Sequence, residues 1–135
     1  MSVKEKYENC VAFYKFLMLF AFTCNKKTGD SCISYLTAPV IEAVGPTTGS
    51  VNQDIAFSVT YGVGNGCGSF FKFEESVAGN NAVIKVIAKF EGCICTAIYS
   101  EFTNAYIFKK TVPGTYQLQF DKGDGNFITR EIVIQ

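Results

Sequence analysis

Residues 54–61 read DIAFSVTY, and this short stretch decides the fold. Ile55, Phe57, Val59 and Tyr61 alternate with Ala56, Ser58 and Thr60. Successive side chains of an extended chain point to opposite sides. Period two therefore gathers the large apolar groups on one face and the small or hydroxylated ones on the other. The pattern returns at 82–91, where Ile84, Val86, Ala88 and Phe90 form one row against Lys85, Lys89 and Glu91. In 115–120, Tyr116, Leu118 and Phe120 face inward and Gln117 and Gln119 outward. Residues 127–135 make a last strand rich in Ile and Val.

Weaker strands fill the gaps: 38–44 before the Gly45-Pro46 turn, 69–74 with Phe71 and Phe73, and 105–109 with Tyr106 and Phe108. Beyond Asp30 the sequence shows no helical period. Turn signals separate the strands at Thr48-Gly49-Ser50, the glycine-rich stretch to Gly68, Gly79-Asn80-Asn81, Pro113-Gly114 and Gly123-Asp124-Gly125-Asn126. Short alternating strands with turns between them predict an all-β antiparallel sandwich of seven or eight strands over residues 35–135. The aromatic content of 15%, 13 Phe and 7 Tyr, agrees, because flat side chains pack well on a pleated surface.

Upstream the character changes. Residues 11–23 read VAFYKFLMLFAFT, apolar apart from Lys15, and the run stops at Cys24. This is short of the roughly 20 apolar residues of a comfortable membrane span and has the length of a signal-peptide apolar region. Lys4, Lys6 and Lys15 supply a positive flank, offset in part by Glu5 and Glu8. Polar Asn25-Lys26-Lys27-Thr28-Gly29-Asp30 follows. An apolar run ending at one Cys, then a polar tether, resembles a bacterial lipoprotein signal. Thr23 stands where that family prefers a small residue and Ala21 where it prefers an aliphatic one. The resemblance implies a helical signal segment over 1–24, lipid attachment at Cys24, a tether over 25–34 and export to the cell envelope. The competing readings are a cleaved signal without lipid, an uncleaved anchor, or an N-terminal core helix.

The cysteines fit export. Of six, Cys10 lies in the segment to be removed and Cys24 is the lipid candidate. Cys32, Cys67, Cys93 and Cys95 remain, an even set that reads as two disulfides. In a strand Cys93 and Cys95 would point to one side, which disfavours a bond between them. Cys67 is expected to pair with one of the two and Cys32 with the other. A four-thiolate zinc site is the alternative. It usually shows pairs of Cys two to four residues apart, and here there is one Cys-x-Cys with two singletons.

Charge and composition exclude several functions. Twelve cations against twelve acids give zero net charge, and about −1 once 1–24 is removed. Nucleic acid is therefore not expected as a partner, since phosphate binding needs a cationic surplus. With no His the chain lacks the commonest general base and metal ligand. No Ser-x-x-Lys occurs, a Cys nucleophile would lack its imidazole, and adjacent Glu74 and Glu75 point to opposite faces of a strand. The chain is expected to be no enzyme and to hold no cofactor or metal. Gly62-Val63-Gly64-Asn65-Gly66-Cys67-Gly68 lacks the Gly-Lys-Ser/Thr of a phosphate loop. Asp121-Lys122-Gly123-Asp124-Gly125-Asn126 has Gly in the third position of a calcium loop and Glu131 one place early, so a hairpin turn is expected there.

Pro113-Gly114-Thr115-Tyr116-Gln117-Leu118 looks like the approach to strand F of immunoglobulin-like and fibronectin-III-like domains. Ala38-Pro39-Val40-Ile41 followed by 55–61 looks like their strands A and B. The resemblance implies a tyrosine corner at Tyr116, its hydroxyl bonded to nearby backbone. The sequence departs from antibody domains in having no Trp and in placing Leu118 where their second Cys stands.

Tyr99, Phe102, Tyr106 and Phe108 lie between the Cys-x-Cys and this motif. Tyr99 and Phe102 are candidates for an exposed binding patch, the alternative being a packed loop. The functional expectation is a non-catalytic, membrane-anchored interaction module with an unknown protein or glycan ligand. The competitors are a structural envelope lipoprotein without a ligand and an exported protease-inhibitor-like domain presenting a loop near Asn65–Ser69.

Overall fold

The computed structural model describes residues 32–135. The expected signal segment, Cys24 and the first part of the tether lie outside these residues. Nine strands follow in order: β1 Ile33–Ala38, β2 Val40–Val44, β3 Thr48–Gly49, β4 Ile55–Val63, β5 Gly68–Ala78, β6 Asn81–Glu91, β7 Ser100–Phe108, β8 Gly114–Gly123 and β9 Asn126–Ile134. They form an all-β sandwich of two sheets. The smaller is β2-β4-β7, antiparallel throughout. In the larger, β5 forms a hairpin with β6. The other side of β6 is shared by β1 along its second half and β8 along its first, and β9 and β3 follow beyond β8.

Two expectations need correction. The sandwich is mixed and not wholly antiparallel, because β6 pairs with β8, and β3 with β9, in parallel. Parallel neighbours need a crossover, and β7, lying in the other sheet, supplies it between β6 and β8. The described residues form nine strands and not seven or eight: the strand expected over 38–44 corresponds to β2, while β1, which ends just before Pro39, and the two-residue β3 were not expected. Proline has no amide hydrogen to continue a ladder. Before it β1 pairs with β6 in the larger sheet, and after it β2 pairs with β4 in the smaller. Ile33 and Ser34, expected in the tether, belong to β1.

The expected inward rows form the core: Ile55, Phe57, Val59 and Tyr61 from β4, Ile84, Val86 and Ala88 from β6, and Tyr116, Leu118 and Phe120 from β8 are all buried. Aromatic rings run through it as a continuous chain of contacts: Phe102, Tyr61, Phe70, Phe73, Tyr106, Phe120, Phe57, Phe108, Tyr116. Their centroids lie 5.1–6.5 Å apart, mostly tilted or edge-on, the arrangement that the ring quadrupole favours. Gly45 lets the chain pass against this core, since a Cβ there would meet the Phe57 ring.

The Tyr116 hydroxyl donates to the Val112 carbonyl at 2.7 Å, closing the corner that the Pro113-Gly114 turn opens. Tyr116→Phe should keep the packing and lose about 1 kcal/mol, the usual net value of one hydrogen bond, in a denaturant melt. A loss near zero would show that the corner is not held by this bond.

Tyr106 is the opposite case. Its hydroxyl is buried near the Glu75 carboxylate and makes no hydrogen bond of ordinary geometry. Burial, and after it the Glu75 carboxylate, push its pKa far above the ordinary 10.0. Above pH 10 the unfolded chain releases a proton that the folded chain still holds, so stability falls as pH rises through that value. Tyr106→Phe should flatten this alkaline loss and leave stability at neutral pH unchanged or about 1 kcal/mol higher, because an unsatisfied buried polar group disappears. Melts at neutral pH and above pH 10 read both effects, and an undiminished alkaline loss would contradict the assignment.

Candidate functional site

One end of the sandwich concentrates the features that are unusual in chemistry. Here the start of β1, the β4–β5 turn at residues 64–67 and the β6–β7 loop at residues 92–99 come together. Two disulfides knit them: Cys32 to Cys93 and Cys67 to Cys95, with Cα separations of 5.0 and 5.4 Å. The even set of four is thus used, with Cys93 and Cys95 serving different partners. The Cys-x-Cys lies in the loop and not in a strand, so the two avoid each other because each is drawn to a different neighbour.

Backbone bonds reinforce the clamp. Gly92 N–H donates to the Cys32 carbonyl at 2.9 Å, Glu91 N–H to Cys67 at 3.1 Å and Gly66 N–H to Thr96 at 2.9 Å. Asn65 Oδ1 accepts from the Cys67 amide at 3.0 Å. Gly92 has φ 143°, and a Cβ there would lie 2.8 Å from the Cys67 sulfur, so a side chain is excluded. Asn65 and Cys67 are half-buried, and the β4–β5 turn is docked on the neighbouring loop. Ser69, expected in that loop, is in β5.

The two residues of the expected patch are both exposed, Tyr99 at 60% and Phe102 at 41%. They do not share a face. Phe102 lies in β7 opposite Tyr61, in the inward row, and its ring is 6.2 Å from the Tyr61 ring. Tyr99 lies over the outer face, where a Cβ on Gly62 would meet its hydroxyl. The absence of a side chain at Gly62 makes room for the phenol. Desolvation there, then the Glu101 carboxylate 3.4 Å from the hydroxyl, raises the Tyr99 pKa.

Sequence reading missed the residue between the two bridged cysteines. Ile94 is 96% exposed, and nothing in a lone Ile between two Cys signals exposure before their partners are known. A shallow depression of about 290 Å³ lies at the same end, lined by Cys32, Leu36, Asn65, Phe90 and Cys95 among others. A second open depression, about 590 Å³, lies beside the β8–β9 hairpin with Asp121, Lys122, Asp124 and Lys85 on its wall. Asp121 Oδ1 accepts from the Gly123 amide at 2.7 Å, and Gly123, Asp124 and Gly125 have positive φ, the geometry of a tight turn. Among the described residues no group of three or more His, Cys, Asp or Glu could hold a metal ion.

Residues 57–132 match the model of the ORF11 beta-sandwich domain. The chain belongs to the ORF11 beta-sandwich family. The matched span runs from β4 into β9 and contains Cys67, Cys93 and Cys95, whereas Cys32 precedes it. One disulfide therefore lies inside the ORF11 beta-sandwich span, and the other ties it to the segment before it. No curated protein and no solved structure matches the chain. Two disulfides point to an extracytoplasmic location for this ORF11 beta-sandwich domain, since reducing compartments keep thiols free.

Proposed function

We propose that the chain is an exported lipoprotein, anchored through Cys24, whose sandwich serves as a non-catalytic interaction module of the cell envelope. The observation that carries this reading is the disulfide pair. Cys32, Cys67, Cys93 and Cys95 are consumed by one another. Cys24 stands apart from them at the end of an apolar run and before a polar tether, where lipid attachment needs it. A lipid-bound domain needs no transmembrane helix, because acyl chains supply the membrane affinity. The ligand class is a protein or a glycan, met by loops at an end of the sandwich.

The kinship with immunoglobulin-like domains is part of this proposal. The order β2-β4-β7 corresponds to strands A, B and E, and the Tyr116 bond stands where the tyrosine corner of strand F belongs. The neighbour of β8 differs: it is β6, in parallel, and not the strand directly following β4.

Mass spectrometry of the protein extracted from membranes, with vesicle flotation, tests the anchor. The expected result is a mature chain beginning at acylated Cys24, and a Cys24→Ala variant that no longer floats. An intact Met1 terminus with unmodified Cys24 would end the reading. Cross-linking in the native envelope followed by affinity isolation tests the module. A stable partner supports it, and its absence favours the structural lipoprotein without a ligand.

A further inference from the structure

We infer that the disulfide-clamped loop at residues 92–99 is a second membrane contact, placing Ile94 in the interfacial region of the bilayer to which Cys24 is tethered. The inference rests on the lipoprotein reading for its geometry. Only residues 25–31 separate Cys24 from Cys32. Fully extended, they and the flanking bonds span at most about 28 Å, so a lipid on Cys24 would keep Cys32 within that reach of the bilayer. Cys32 is bonded to Cys93, which fixes the loop at the point where the tether enters the domain.

The loop has the chemistry of an interfacial insert. Its sequence, GCICTAIY, contains no charged residue. Ile94 is 96% exposed, Ile98 and Tyr99 are more than half exposed, and Ile33 is exposed beside them at the start of β1. Apolar side chains with a tyrosine at their edge suit the boundary between headgroups and acyl chains. The neighbouring acids are engaged: Glu91 with Lys89 at 2.8 Å, and Glu101 as acceptor of the Tyr99 hydroxyl. Lys26 and Lys27 in the tether favour an anionic leaflet. The two bridges hold the loop open, so insertion orders little chain that is not already ordered.

The chain has no Trp, so one substitution supplies a single fluorophore. Ile94→Trp is compared with Val112→Trp, at the exposed loop of the opposite end, each as the full-length protein purified from membranes. The proteins are placed on phosphatidylethanolamine–phosphatidylglycerol vesicles with or without brominated acyl chains, and flotation and the mass of the Cys24 peptide are read alongside. The inference expects the Ile94→Trp emission to shift to the blue and to be quenched by bromine, with the Val112→Trp emission unaffected. Ile98→Trp should behave as Ile94→Trp if the latter folds poorly. A floating, acylated protein whose Ile94→Trp emission stays water-like overturns the membrane contact and leaves the anchor standing. Quenching in a chain with unmodified Cys24 supports the contact and refutes the anchor, and neither signal refutes both.

Discussion

Removing the Cys32–Cys93 bridge, as a paired Ser substitution, is expected to lower the free energy of unfolding by about 4 kcal/mol, the chain-entropy value for a separation of this size. The bridge joins residues 61 apart in sequence and ties β1 to the loop after β6. Without it the unfolded chain gains the freedom of that loop, and β1 loses the fixed start that holds it beside the second half of β6. The Cys67–Cys95 bridge joins residues 28 apart, and its removal should cost less, about 3.5 kcal/mol. The two loops overlap, so each bridge shortens the loop that the other closes, and losing both should cost more than the sum of the two single losses. Against the roughly 5–15 kcal/mol typical of a small domain, either loss is severe. Urea melts of the two paired variants and the quadruple one give the order. Equal stability of all three and the parent would mean that the bridges do not form in the protein tested.

Phe57→Ala is expected to cost about 3–5 kcal/mol, the range for deleting a fully buried aromatic side chain. Phe57 sits in the middle of β4 and is 1% exposed. Its ring meets Phe108 in its own sheet edge-on and Phe120 in the other sheet at a tilt. It is one of the rings through which the aromatic chain crosses between the sheets, beside Tyr106 on Phe120 and Phe108 on Tyr116. The site cannot readily collapse, because β2, β4 and β7 are held by their ladders and the neighbouring rings by their own contacts. Phe127→Ala, at a partly exposed position, is the control and should cost far less. If the two variants melt together, the core does not lie where the sandwich places it.

The fold was legible where one rule governed. In β4, alternation alone separates buried Ile55, Phe57, Val59 and Tyr61 from Ala56 and Ser58, because one face is covered and the other is not. It fails where pairing geometry intervenes. At the bulge between Phe70 and Lys72 the register shifts. Phe70 and Phe73 turn onto the core, while Phe71 is exposed and meets Tyr35 at 4.7 Å. Strict period two would instead have grouped Phe71 with Phe73. The start of β7 was hidden because Glu101-Phe102-Thr103-Asn104-Ala105 carries little greasy alternation. That half of the strand is held by its ladder to β4 and by the Tyr61 hydroxyl bonded to Asn104 at 2.8 Å. The parallel β6–β8 pairing was out of reach for a different reason. Periodicity reports which face is buried and not which strand lies alongside.

The candidate site was half legible for the same kind of reason. Cysteine parity and spacing anticipate two bridges and leave the choice between Cys93 and Cys95 open. Tyr99 and Phe102 stood out as large side chains near those cysteines. The missing side chain at Gly62, which draws Tyr99 to the outer face, acts from another strand and leaves no local mark.

Disulfide mapping of the protein isolated from its own cells, alkylated before lysis, tests the account most directly. Cleavage at Glu42 and Glu91 separates Cys32 from Cys67 and both from the Cys93-Ile94-Cys95 segment. The account predicts one assembly of three peptides, with fragmentation at Ile94 assigning Cys93 to Cys32 and Cys95 to Cys67. Four alkylated thiols, or a bond between Cys93 and Cys95, would contradict it.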